Sequence, residues 1–196
     1  VAYNNRGNAY VKFDAYTQAF ADFDRAIALD PKLAEAYLNR GYAHYTLGNY
    51  EQALVDFDEA LELDPYLVGG YLGRGYVYDE LAQYEKARDD FDKVIAMAPE
   101  MAVAYNNRGW AYVSLGAYQE ALADFDEAIA LDPNLTQAYL NRAYVYQLLA
   151  QYNKALADSY SAIVRAPDMP EAYLRRGYIY YELGQYDKAL TNFDKA

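Results

Sequence analysis

The chain repeats itself every 34 residues, and that period constrains its fold more than any other property. Tyr3, Tyr37, Tyr71, Tyr105, Tyr139 and Tyr173 stand 34 apart, as do Pro31, Pro65, Pro99, Pro133 and Pro167. A fixed period in this range marks an array in which no unit buries its apolar face alone, so each must stack on its neighbours. One such unit is too short to hold a core by itself. The units run 1–33, 34–67, 68–101, 102–135, 136–169 and 170–196, the first and last incomplete. A continuous stack has no internal linker, which predicts a single domain over 1–196.

Unit 34–67 is the clearest copy. Ala53, Leu54, Phe57, Ala60 and Leu61 fall on the apolar stripe of an amphipathic helix. A first helix is expected from about Glu35 to Leu47, ending at Gly48, where glycine can take the left-handed conformation of a helix end. Asn49, with Gln52 three residues on, reads as a capping arrangement for the second helix. Leu63-Asp64-Pro65 stops that helix, because the residue before proline is pushed out of the helical region.

With an aromatic near its start, then Gly41, Tyr50, Ala53, Phe57, Ala60 and Pro65, the unit closely resembles the tetratricopeptide repeat (TPR). The signature covers the whole chain. This resemblance implies an all-α fold, a right-handed superhelical α-solenoid of antiparallel helix hairpins. First helices would line a concave groove and second helices the convex side. It also implies a protein-protein interaction scaffold that binds an extended or helical segment of a partner, without catalytic residues or a cofactor.

Several units depart from the pattern. Unit 1–33 has Phe13-Asp14 where three of the later copies have Leu-Gly. Unit 68–101 places Gly69, Gly70, Gly73 and Gly75 in one first helix. Each interior glycine costs about 0.5–1 kcal/mol relative to alanine, so this helix is the expected weak point. Unit 136–169 has Ser159 for the recurring Phe and Ala143 for the recurring Gly.

Charge narrows the partners. Seventeen basic residues face 29 acidic ones, a net charge of -12, and no Lys/Arg run is present. A phosphate backbone needs a basic stripe to displace its counterions, so nucleic acid is not an expected partner, and anionic membrane surfaces are disfavoured. There is no cysteine and one histidine, His44, which occupies the place of Tyr10, Tyr78, Tyr112, Tyr146 and Tyr180 and reads as a packing residue. The usual zinc sites, nucleophile sets and phosphate loops are therefore not expected, nor is an enzyme. The chain starts at Val1 inside a repeat and looks like an excised fragment. With no targeting signal the compartment stays open, the cytoplasm being favoured.

Under the TPR resemblance, two first-helix stripes would face the groove. The aromatic one is Asn8, Tyr42, Tyr76, Trp110, Tyr144 and Tyr178, whose rings give rigid contact area with few rotamers to freeze. The amide one is Asn5, Asn39, Gly73, Asn107, Asn141 and Arg175, similar to the asparagine ladder of superhelical TPR domains. An amide can grip a peptide backbone whatever its sequence. Leu38, Leu72, Asn106, Leu140 and Leu174 complete the expected peptide-binding groove.

The carboxylate clamp of chaperone-type TPRs is not matched, since Asn4, Leu38, Gly69 and Gly73 stand at its places. Glu35, Asp79, Glu80, Glu171 and Glu182 outweigh Lys12, so the expected partner segment is basic or apolar. Arg6, Arg40, Arg74, Arg108, Arg142 and Arg176 recur with Asp22, Asp56, Asp90, Asp124 and Asp158, with Asn192 in the sixth unit. They are expected to form a structural ladder, either between the helices of each hairpin or across neighbouring hairpins. The alternative to peptide binding is head-to-tail self-association through Tyr3 and Tyr10 at one end and Tyr186, Ala189, Leu190 and Phe193 at the other.

Overall fold

Each unit folds as a helix, a tight turn and a second helix. In the computed structural model, which describes all residues 1–196, twelve helices follow one another with no strand. They are α1 (Ala2–Val11), α2 (Tyr16–Leu29), α3 (Ala34–Thr46), α4 (Tyr50–Leu63), α5 (Val68–Glu80) and α6 (Tyr84–Met97). Then come α7 (Ala102–Ser114), α8 (Tyr118–Leu131), α9 (Thr136–Leu148), α10 (Tyr152–Arg165), α11 (Pro170–Glu182) and α12 (Tyr186–Phe193). The chain divides into two compact units of three hairpins, Val1–Pro99 and Glu100–Ala196.

Turn chemistry places the breaks. Gly48, Gly116 and Gly184 take φ of 72°, 76° and 71° between the helices of their hairpins. The matching positions in the other hairpins hold Asp14, Ala82 and Ala150, at φ of 55°, 55° and 54°. A Cβ in the left-handed region costs about 1–2 kcal/mol, partly offset because glycine loses more freedom on folding. Ala82→Gly and Ala150→Gly are each expected to raise stability by about 0.5–1 kcal/mol, read as a later urea midpoint. A midpoint that fell would refute strain at that turn.

The second helices end as the proline rule predicts, with Asp64 in extended backbone (φ -135°, ψ 93°). The Asp30, Asp64 and Asp132 carboxylates then accept hydrogen bonds from the backbone two residues on, at 2.9–3.1 Å. The expected cap at Asn49 is not made. Its side chain forms no capping hydrogen bond, and only its carbonyl enters the helix, accepting from the Ala53 N–H.

Inside each of the first four hairpins a buried phenylalanine of the second helix lies against a glycine of the first. A Cβ on Gly7, Gly41, Gly75 or Gly109 would come within 2.6–2.9 Å of the ring of Phe23, Phe57, Phe91 or Phe125. Those rings are fully or almost fully buried. The fifth hairpin changes both partners together. Ala143 supplies the Cβ and Ser159 removes the ring, its hydroxyl donating to the Ala155 carbonyl at 2.8 Å.

Two further glycines of α5, Gly70 and Gly73, have the same explanation. A Cβ on Gly73 would meet the Phe57 ring at 2.5 Å, and one on Gly70 would meet Leu61 at 2.8 Å. α5 is nevertheless a full helix of 13 residues. The entropy lost at its glycines is offset by close approach to α4.

Within each unit the second helix of one hairpin packs on the first helix of the next: α2 on α3, α4 on α5, α8 on α9 and α10 on α11. First helices also touch, α1 with α3, α3 with α5, α7 with α9 and α9 with α11, whereas second helices make no comparable contact with one another. The first helices therefore hold the inner side of each unit.

Candidate functional site

Charge pairs fix the hairpins before any surface is presented. Arg40 Nε and Nη2 reach Asp56 at 3.0 and 2.6 Å, while its Nη1 reaches Asp24 of the preceding hairpin at 2.6 Å. Arg74 holds Asp90 at 2.8 and 2.7 Å and Asp58 at 2.6 Å. Arg142 holds Asp158 at 2.8 and 2.7 Å and Asp126 at 2.5 Å. Arg6 with Asp22 and Arg108 with Asp124 make the same two-pronged contact.

The ladder thus runs both within hairpins and between neighbours. A planar guanidinium matched to a carboxylate in this way fixes register as well as charge. The hydrogen bonds from Arg6 hold the Asp22 carboxyl below its ordinary value, whereas burial pushes Asp90 up despite Arg74. His44, at the edge of this ladder, stacks on Phe20 with centroids 4.4 Å apart, and burial pushes its pKa down.

On the inner side of unit Val1–Pro99, Asn5 is exposed, and Leu38, Asn39, Tyr42, Leu72 and Tyr76 are half-buried. Tyr42 donates its hydroxyl to the Gly69 carbonyl at 2.8 Å and packs edge-on to Phe57. Burial raises its pKa. Tyr76 stacks on Tyr45 at 6.0 Å, so Tyr45, outside the expected stripes, belongs to the same aromatic surface. Asn39 donates to the buried Asn4 carbonyl oxygen at 3.0 Å.

Unit Glu100–Ala196 repeats that amide bond: Asn141 donates to Asn106 at 3.0 Å. Asn106 in turn donates to Asn107 at 3.1 Å, and Gln137 donates to Asn141 at 3.0 Å. Asn106 (6% exposed) and Asn141 (7%) consequently lie beneath the surface rather than on it, and Leu140 (3%) is buried in an apolar cluster with Tyr139, Ala162 and Ala172. Two first helices in contact bring these amides together, and each satisfies the other's desolvated dipole.

Asn107, Trp110 and Tyr144 are half-buried, while Leu174 and Tyr178 are exposed, Tyr178 at 53%. Trp110 and Tyr144 lie 5.9 Å apart, and the Arg175 guanidinium sits 4.5 Å over the Tyr144 ring.

Three polar atoms on these faces are sealed from water without a hydrogen-bond partner: Asp79 Oδ1 in the first unit, and Asn107 Nδ2 and Arg175 Nε in the second. Burial, with Glu80 adding repulsion, pushes the Asp79 pKa up to about 6, and burial lowers that of Arg175. An unpartnered buried polar group costs about 1–3 kcal/mol, so such atoms call for an explanation. No group of three or more His, Cys, Asp or Glu side chains is placed to hold a metal ion. No helix is long and apolar enough to cross a membrane.

Comparison with curated proteins returns no match. Among solved structures the chain is 26% identical to the MamA protein, with a TM-score of 0.70 over 83% of this chain and 88% of MamA. It is 27% identical to YrrB, described as a TPR protein with an unusual peptide-binding site, with a TM-score of 0.68 over 88% of this chain and 89% of YrrB. PilW, a type IV pilus biogenesis factor, is 22% identical and shares the fold, with a TM-score of 0.91 over 97% of this chain and 89% of PilW.

Family profiles described as tetratricopeptide repeat match residues 34–67, 68–101, 102–135, 125–157 and 170–196, and one described as TPR repeat matches 7–48. The hairpin order, the glycine and phenylalanine contact within the hairpins and these matches agree: the chain belongs to the tetratricopeptide repeat family.

Proposed function

We propose that the first-helix face binds a basic or apolar segment of a partner protein. Family membership already makes the chain an interaction scaffold. The finer reading rests on where the buried polar atoms without partners lie: Asp79 Oδ1, Asn107 Nδ2 and Arg175 Nε, like His44 Nδ1 beside the arginine ladder, all stand on first helices. Beside them, Tyr42, Tyr76, Trp110, Tyr144 and Tyr178 supply half-exposed or exposed rings. Rigid aromatics with adaptable polar neighbours suit peptide recognition. That YrrB is described as having a peptide-binding site agrees with this reading.

Asp79 indicates the sign of the ligand. Its carboxylate has Glu80 beside it and no cation of the chain paired to it. A lysine or arginine from the partner would offset both the cost of burying this charge and the repulsion from Glu80. An acid whose folded pKa of about 6 exceeds its unfolded value of 3.8 binds more protons when folded. Stability therefore falls as pH rises from about 4 to 6 and stays lower above that. Asp79→Asn should remove this slope and raise stability at pH 7 by about 1–2 kcal/mol, the full shift being discounted for partial exposure. The same variant should weaken binding of a basic peptide. A stability that did not change would show that the Asp79 charge is well solvated.

Trp110 is the only tryptophan and reports directly on the first-helix face of unit Glu100–Ala196. Titrating the full chain with basic, apolar and acidic peptides should give a saturable fluorescence shift with the first two, weaker at high salt for the basic one. No shift with any of them, from a chain with a helical spectrum, would overturn the reading. Mass by light scattering over a concentration series tests the alternative, since growth with concentration would favour end-to-end stacking.

A further inference from the structure

The sixth hairpin keeps the cations of the ladder and lacks its anions. In the third and fifth hairpins, Arg74 and Arg142 are each held by two aspartates, and Lys86 and Lys154 lie 5.1 Å over Tyr78 and Tyr146. At the corresponding places the sixth hairpin has Arg176, Lys188 and Tyr180, with the lysine 5.3 Å over the ring. Its two acid positions are filled by Asn192 and Tyr160. Arg176 Nε donates to Asn192 Oδ1 at 2.7 Å, and no carboxylate is paired with its guanidinium. The arginine charge that two carboxylates balance in those hairpins is met by none here, and Lys188 adds a second positive charge beside it.

The site is a cleft of about 220 Å³ between α11 and α12, lined by Arg176, Tyr180, Lys188, Thr191 and Asn192. Its counterpart in the second hairpin, about 230 Å³, is lined by Glu51 and Asp56 as well as Arg40. The chain also displays how a visiting carboxylate would sit. Asp24, Asp58 and Asp126 reach the arginine Nη1 from outside its own hairpin, and their side chains are 58–62% exposed. That approach to the guanidinium is open to solvent. Tyr160, which stands where the sixth hairpin's outside aspartate would be, is itself 60% exposed and supplies no charge.

We infer that this cleft binds an aspartate or glutamate carboxylate of a partner polypeptide, taken up by the Arg176 guanidinium in place of the missing Asp, with Lys188 alongside. It is distinct from the aromatic face and has the opposite preference in charge. Arginine gives a carboxylate two parallel charge-assisted hydrogen bonds, which sets geometry as well as strength. Selectivity comes from the rest of the chain, whose net charge of -12 repels acidic segments everywhere that its cations are already paired.

The test uses the full chain and a fluorescein-labelled octapeptide carrying two glutamates, followed by anisotropy at low salt. The octapeptide should bind and its glutamine counterpart should not. Asn192→Asp and Tyr160→Asp restore the missing anions; together they should weaken binding by about tenfold or more. Neither should lower the melting temperature, and the response of Trp110 to basic peptides should be unchanged, which separates this site from the aromatic face. Equal binding of the glutamine peptide, unchanged binding by the double variant, or no binding at all would overturn the assignment. If inorganic phosphate occupied the cleft and the acidic peptide did not, the site would take a free anion and the assignment to a polypeptide would fail.

Discussion

Ser159→Phe is expected to destabilise the chain by about 2–3 kcal/mol, although it restores the residue that the other hairpins carry. In those hairpins the ring rests on a glycine, and a Cβ there would lie 2.5–2.9 Å from a ring carbon. Ala143 already has that Cβ. Ring and methyl cannot share the space without moving one helix or forcing the ring off its rotamer, and both are costly in a close-packed interior. Ala143→Gly should undo most of the loss, so that the double variant is near wild type or better. The measurement is a double-mutant cycle from urea melts. A coupling of about 2 kcal/mol is expected between two sites in direct contact. Additive effects would mean that the fifth hairpin accommodates serine and alanine independently.

Removing one partner of a buried ion pair should cost more than exchanging it for a neutral copy. Asp56 is almost fully buried and holds Arg40 through three contacts of 2.6–3.2 Å. Asp56→Ala leaves the guanidinium only the exposed Asp24 and is expected to cost about 3 kcal/mol. Asp56→Asn should cost about 1 kcal/mol, because an amide oxygen can still accept from Nε. The chain contains its own precedent in Arg176 and Asn192. For a chain of this length the alanine variant should melt about 6–12 °C lower and the asparagine variant about 2–4 °C lower. Equal losses from the two variants would show that charge, rather than shape and a neutral acceptor, holds the pair.

Different parts of the architecture were legible in the sequence to different depths. The period, the proline stops and the arginine and aspartate ladder follow from residue type and spacing, since each depends on chemistry local to one unit. The link from Arg40 to Asp24 needed the packing of one hairpin on the next, though recurrence of acids at fixed places hinted at it. The amide pairs were not legible. Asn4 with Asn39 and Asn106 with Asn141 meet only because first helices touch.

That contact also turns Asn106 and Asn141 from expected groove residues into buried ones, and packing in a cluster with Ala162 and Ala172 does the same to Leu140. The four glycines of unit 68–101 looked like weakness when judged by helix propensity. Packing reverses the argument at Gly70 and Gly73, because leucine and phenylalanine side chains occupy the space that a Cβ would need. The paired change at Ala143 and Ser159 was visible as two irregularities, and only the shared space makes them one.

The guanidinium that clasps one aspartate of its own hairpin and another of the hairpin before it acts as a rivet between successive layers. Opening α5 from α4 breaks Arg74 from Asp58 as well as parting apolar surfaces, and opening α9 from α8 breaks Arg142 from Asp126. Opening α11 from α10 breaks no such bond, because Tyr160 offers Arg176 no carboxylate. In a quasi-one-dimensional array, each missing rivet lowers the interface energy that makes neighbouring layers melt together. Amide hydrogen exchange should therefore find the α11–α12 hairpin opening on its own at a lower free energy than α9–α10, as a separate cooperative layer.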